Sequence, residues 1–148
     1  YPSEWVYDYA LEIYGSGARG AFWFAFSKFE GSDFYYHAKA FESLTPVSHL
    51  IPDAIPLPGV TTNHPSVRAT ALRNGRGILL LMSDYKEKST ATITVALPVA
   101  AEGKVWNIAT GKAIGTVDGR TLVVRFAPGV EGAHTALYYV GTKLPVGE

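Results

Sequence analysis

Glu30-Gly31-Ser32-Asp33 sets two carboxylates three residues apart, shortly after an unbroken apolar run, Ala21-Phe22-Trp23-Phe24-Ala25-Phe26, with Ser27-Lys28-Phe29 between. At the end of a strand such residues can meet a ligand. Carboxylates accept hydrogen bonds from a ligand's donors, lysine offers a charged donor, and a tryptophan offers a flat apolar face. Glu30, Asp33, Trp23 and Lys28 are therefore the candidate substrate-binding residues, with Ser27 a weaker member of the same region. Each also has a plainer reading. Asp33 suits the cap of a following helix, Glu30 a solvated loop, and Trp23, mid-run, a packed core.

Other chemistry is harder to assemble. His37, His49, His64 and His134 show neither His-x-x-x-His nor His-Glu-x-x-His spacing, so no metal site is expected. A Ser27, His37 and Asp33 triad can be drawn, but no Gly-x-Ser-x-Gly elbow accompanies it, which argues against an esterase. Gly15-Ser16-Gly17-Ala18-Arg19-Gly20 precedes the apolar run instead of following it, the wrong context for a phosphate-binding loop. No catalytic residue and no cofactor are assigned. Thirteen basic residues balance thirteen acidic ones without a basic stripe, so a nucleic-acid partner is not expected. The Lys86-Glu87-Lys88 cluster reads as a solvated turn. The longest apolar run is too short to span a bilayer, so no membrane partner is expected. There are no cysteines, which removes disulfides and thiolate metal sites but leaves the compartment open; secreted bacterial domains often lack cysteine. The chain opens Tyr1-Pro2 without an initiator Met, so an upstream segment is expected, either removed or belonging to a longer protein.

The elements that must position these residues fall into two halves. Pro52, Pro56, Pro58, Gly59, Asn63 and Pro65 mark residues 52–66 as a linker, since proline forbids helix and denies ladder donors. Before it, Val6, Ala10, Ile13 and Tyr14 recur at helical spacing and Gly15 and Gly17 end that helix. The Ala21–Phe26 run reads as a strand buried on both faces. Phe34, Ala38, Phe41 and Leu44 then mark one face of a second helix, which Pro46 breaks. After the linker come short strands and tight turns: 67–73, 78–85, 90–97, 104–109, 112–117, 121–126 and 135–140. Leu122, Val124 and Phe126 share a face. Tyr138 and Tyr139 point to opposite faces, so one of them is expected at the surface. The expected fold is mainly β, an antiparallel β-sandwich of about seven strands over 67–141 with a tail at 142–148. Its locally closed hairpins lead us to expect that residues 60–148 fold alone. Residues 1–51 cannot, because a single strand between two helices leaves its backbone groups without partners.

The order helix, Gly17-Ala18-Arg19-Gly20, aromatic strand, Glu30-Gly31-Ser32-Asp33, helix and proline linker resembles the closing β/α unit of barrel glycoside hydrolases. The downstream part resembles the small β-sandwich that follows the barrel in many of them. Its markers are the Ile78–Ser83 strand, the Lys104–Lys112 hairpin, in which Asn107 stands where Asp is usual, and the closing Ala136-Leu137-Tyr138-Tyr139-Val140 strand. The resemblance implies a helix–strand–helix remnant of a (β/α)₈ barrel over 1–51, followed by an accessory domain. It also implies that the two catalytic carboxylates come from barrel strands not contained in these residues. Hydrolysis needs a pair about 5–5.5 Å apart for retention or 6.5–9.5 Å for inversion, which one strand cannot present. The expected function is thus a C-terminal fragment of a glycoside hydrolase, silent by itself. A non-catalytic carbohydrate-binding or oligomerisation module is the alternative. Carbohydrate is the expected ligand. Self-association through residues 1–51 is expected because a lone apolar strand has two open edges.

Overall fold

The computed structural model describes residues 1–20, 28–86 and 90–145. The Ala21–Phe26 run, with Trp23 and Ser27, lies outside the described residues, and so does most of the Lys86–Lys88 cluster. Helix α1 spans Glu4–Gly15 and helix α2 Gly31–Leu44, followed by a 3₁₀ turn over Thr45–Leu50 with Pro46 near its start. Nine strands follow: β1 Ile55–Pro56, β2 Thr61–Thr62, β3 Val67–Arg73, β4 Ile78–Asp84, β5 Ala91–Ala96, β6 Lys104–Asn107, β7 Ala113–Asp118, β8 Thr121–Phe126 and β9 Thr135–Gly141.

The protein is mainly β, and all nine strands pair antiparallel in one curled, half-barrel sheet of order β1-β3-β4-β9-β6-β7-β8-β5-β2. The seven strands read from the sequence are there, joined in a single hydrogen-bonded order. The proline-rich segment contributes two more. β1 pairs with β3 at one edge and β2 with β5 at the other, so this short stretch stitches both ends of the curl. Thr62 Oγ1 also donates to the Val67 carbonyl at 2.7 Å, drawing β2 towards β3.

Alternation along the two central strands builds two cores. Ile78, Leu80 and Met82 of β4 and Ala136, Tyr138 and Val140 of β9 point into the curl, where they meet Ile93, Val95, Leu122, Val124 and Phe126. Leu79 and Leu81, with Leu137 and Tyr139, point outward into a second core shared with Tyr7, Ala10 and Leu11 of α1 and Ala40 and Leu44 of α2. β4 and β9 are consequently buried along their whole length. Each of these large side chains contributes about 1.5–3 kcal/mol by leaving water.

This shared outer core changes two expectations. Residues 1–51 do not stand apart from the strands, because α1 and α2 cover the sheet's outer face. The strands in turn share that core: Leu79, Leu81, Leu137 and Tyr139 are covered by the helices. Finally, Tyr138 and Tyr139 are both buried, one in each core. The Tyr138 hydroxyl pairs with the Ala127 backbone at 3.2 Å and the Tyr139 hydroxyl donates to the Arg76 carbonyl at 2.9 Å.

The helices themselves run in the same general direction. Ser3 and Ser32, at the two N-terminal ends, are hydrogen-bonded at 2.7 Å, while the rings of Tyr14 and Phe41, towards the C-terminal ends, pack edge to face at 5.8 Å. Consecutive helices joined by a short hairpin loop run oppositely; these do not. The face of α2 read as apolar from the sequence is not the one that meets the sheet. Of the residues read on that face Leu44 is buried, but Phe34, Ala38 and Phe41 stay at the surface, and Asp33, Ala40 and Ser43 are buried instead.

Candidate functional site

The two carboxylates that opened the sequence analysis start α2. The Glu30 backbone N–H donates to Asp33 Oδ2 at 2.9 Å, and the Glu30 side chain accepts from the Asp33 N–H in return. This capping box occupies two orphan donors of the first turn. Asp33 is buried by it, while Glu30 and Lys28 remain exposed. Glu30, Asp33 and Lys28 thus gather around one helix start, and Trp23 lies outside the described residues. Of the paper triad, His37 packs its ring against Phe41 at 4.7 Å and Asp33 belongs to the cap.

A different constellation joins the chain's two ends. Asp8, on α1, is 3% exposed and accepts four hydrogen bonds. Its Oδ1 takes the N–H of His134 at 2.8 Å, the N–H of Thr135 at 3.0 Å and the Thr135 hydroxyl at 2.7 Å. Its Oδ2 faces His134 Nδ1 at 2.7 Å. The Tyr85 ring stacks on the imidazole at 5.1 Å, and its hydroxyl donates to Glu12 Oε1 at 3.1 Å. Burial, followed by the negative charges of Glu12 and Asp8, raises the Tyr85 hydroxyl's pKa well above its ordinary value. A carboxylate orienting an imidazole is the arrangement hydrolases use to set a general base. Here three of the four contacts go to the backbone and hydroxyl at the start of β9, so the carboxylate's principal work is to clamp α1 onto the sheet. The sequence reading missed it because Asp8 and His134 are separated by nearly the whole chain. The legible hint is that Asp8 shares a helix face with Leu11 and Gly15, both buried.

Three surface clefts were considered as ligand sites. One of about 300 Å³ lies beside the β3–β4 turn and includes Glu102; another, of about 260 Å³, includes His49 and Asp53. A third, of about 380 Å³, lies between the helices, the β6–β7 hairpin and the end of β8. None of the three is lined by two carboxylates. Among the described residues, no group of three or more His, Asp or Glu could hold a metal ion. Among them, too, no helix is long and apolar enough to cross a membrane.

Compared with known families and curated proteins, the chain matches no family model and no curated sequence.

Proposed function

We propose that this chain is the C-terminal part of a barrel glycoside hydrolase. In this reading α1 and α2 are the last two barrel helices and the curled sheet is the sandwich-like accessory domain behind them. The halves β3–β4–β9 and β8–β5 face each other across the inner core as two layers would. The observation that carries the reading is the shared direction of the two helices. Parallel consecutive helices require the intervening chain to travel back along their length. Twelve residues of α1 rise about 18 Å, and six extended residues span about 20 Å. A β/α unit meets that requirement with a strand of about that length between its helices.

A second observation fits. Trp5 and Tyr9 of α1 and Phe34 and Tyr35 of α2 are 45–57% exposed, on faces turned away from the sheet. In a barrel the neighbouring units would cover them; in the isolated chain they favour self-association. The nearby carboxylates Glu30 and Asp33 would then sit at the barrel mouth, with Asp33 held in its cap. A non-catalytic carbohydrate-binding module is the second reading, favoured by the cleft beside the β6–β7 hairpin, which Asn107, Lys112 and Arg125 line together with apolar side chains.

An aryl glycoside panel, run beside light scattering, tests the proposal on the chain itself. No turnover and reversible association, weakened by Trp5→Asp, are expected. Turnover lost on Glu30→Gln or Asp33→Asn would show a complete site within these residues and overturn the reading.

A further inference from the structure

The cleft of about 380 Å³ is within the size range of small-molecule sites. Its charge is one-sided. Lys112, at the end of the β6–β7 turn, and Arg125, on β8, both line it, and no Asp or Glu does. Both side chains are exposed, and among the described residues neither is in an ion pair with a carboxylate. The rest of the lining is largely apolar, with Ile114, Ala127 and Pro128 part-exposed, and Tyr7 and Ser43 add two hydroxyls. Tyr7 and Ser43 are buried and hydrogen-bonded to each other at 3.2 Å, and Ser43 Oγ donates onward to the Lys39 carbonyl at 3.2 Å. The Tyr7 proton is therefore directed at Ser43, and the Tyr7 oxygen keeps acceptor capacity. Gly129 lets this hydroxyl lie against the loop after β8, where any Cβ would collide with it.

We propose that this cleft binds a sugar-sized ligand carrying an oxyanion, a carboxylate or a phosphate. Arg125 and Lys112 supply charge-assisted donors to the oxyanion, and the part-exposed Ile114, Ala127 and Pro128 offer apolar surface to the ligand's ring. Asn107, also in the lining, contributes to the sign of the field. Its Oδ1 accepts from the Thr110 N–H at 3.1 Å, a bond that an aspartate would make equally well. As an amide it shapes the turn without placing a negative charge in the cleft. The inference is independent of the barrel reading, since it uses only residues that line the cleft.

Calorimetric titration of the whole chain at low salt tests it, with glucuronate, glucose 6-phosphate, inorganic phosphate and glucose as probes. One of the two anionic sugars should bind at least about tenfold tighter than both glucose and inorganic phosphate. Which of the two wins identifies carboxylate or phosphate as the group. Arg125→Gln and Lys112→Gln should each weaken that binding about tenfold, and Asn107→Asp should do the same while the fold is retained by circular dichroism. Arg68→Gln, which removes an equal charge elsewhere on the surface, should leave it unchanged. Equal binding of glucose or of phosphate alone, no saturation by about 20 mM, or indifference to Arg125→Gln and Asn107→Asp would each overturn the proposal.

Discussion

Replacing Asp8 by alanine should remove a large fraction of the stability, because its carboxylate is the polar bolt between α1 and β9. The substitution strands the backbone N–H groups of His134 and Thr135, which cannot turn elsewhere. A buried donor without a partner costs about 1–3 kcal/mol. The Thr135 hydroxyl and the imidazole can partly re-pair, so we expect a total near 4 kcal/mol, about the sum for the two stranded backbone donors. A domain of this size is stable by about 5–15 kcal/mol. With a urea dependence of about 2 kcal/mol per molar, the unfolding midpoint should fall by about 2 M. Asp8→Asn is the informative control. Its amide oxygen can replace Oδ1 and keep three of the four bonds, so the cost should be only about 1–2 kcal/mol. Urea titrations followed by tyrosine and tryptophan fluorescence and by circular dichroism would measure both. A loss below about 1 kcal/mol for Asp8→Ala, or equal losses for the two variants, would refute the clamp.

Three further outcomes follow from the packing. Gly129→Ala should destabilise by about 1–3 kcal/mol, because its Cβ meets the Tyr7 hydroxyl; adding Tyr7→Phe should cost less than the sum of the two single changes in a double-mutant cycle. Asp33→Ala should cost about 1 kcal/mol by opening the capping box of α2, read as a lower thermal midpoint. Burial pushes the Tyr138 hydroxyl up to about 12 despite the opposing hydrogen bond to Ala127. Its folded-state pKa thus exceeds the unfolded value, so its contribution is complete below about pH 10 and lost between about pH 10 and 12. Unfolding titrations across that range should show falling stability, and Tyr138→Phe should flatten the slope.

Much of the β architecture was legible because strands with one wet face announce themselves. In β8, Leu122, Val124 and Phe126 alternate with exposed Thr121, Val123 and Arg125, and the period alone places both ends. Asn74-Gly75-Arg76-Gly77 marked its hairpin through turn chemistry, with Asn74 Oδ1 accepting from the N–H groups of Arg76 and Gly77 at 2.8 and 3.0 Å. What escaped was set by tertiary context. β1 and β2 are two residues each, in a proline-rich stretch without any strand period, and form only because a long strand offers each an edge. The buried face of α2 was misjudged because Phe34 and Phe41 outweigh Ala40 and Ser43 in hydrophobicity, while the sheet accepts the smaller side chains. Of the candidate site, the capping role of Asp33 was readable from its type ahead of a helix, whereas the N-cap position falls on Glu30, which reads as a solvated loop residue in the sequence. The Asp8–His134 clamp was not, since no local pattern links positions separated by nearly the whole chain. The charge of the Lys112–Arg125 cleft was equally hidden, because only the pairing of β7 with β8 brings that hairpin and strand together.

On the proposed function, these residues complete a larger hydrolase without containing its chemistry. The most direct measurement compares aryl glycoside hydrolysis by the product of the whole parent reading frame with that of the 148-residue chain. Turnover is expected from the whole product and none from the chain. In the whole product Trp5 should also become protected from solvent quenching. A parent product with no further β/α units and no turnover, or a 148-residue chain that hydrolyses a glycoside by itself, would contradict it.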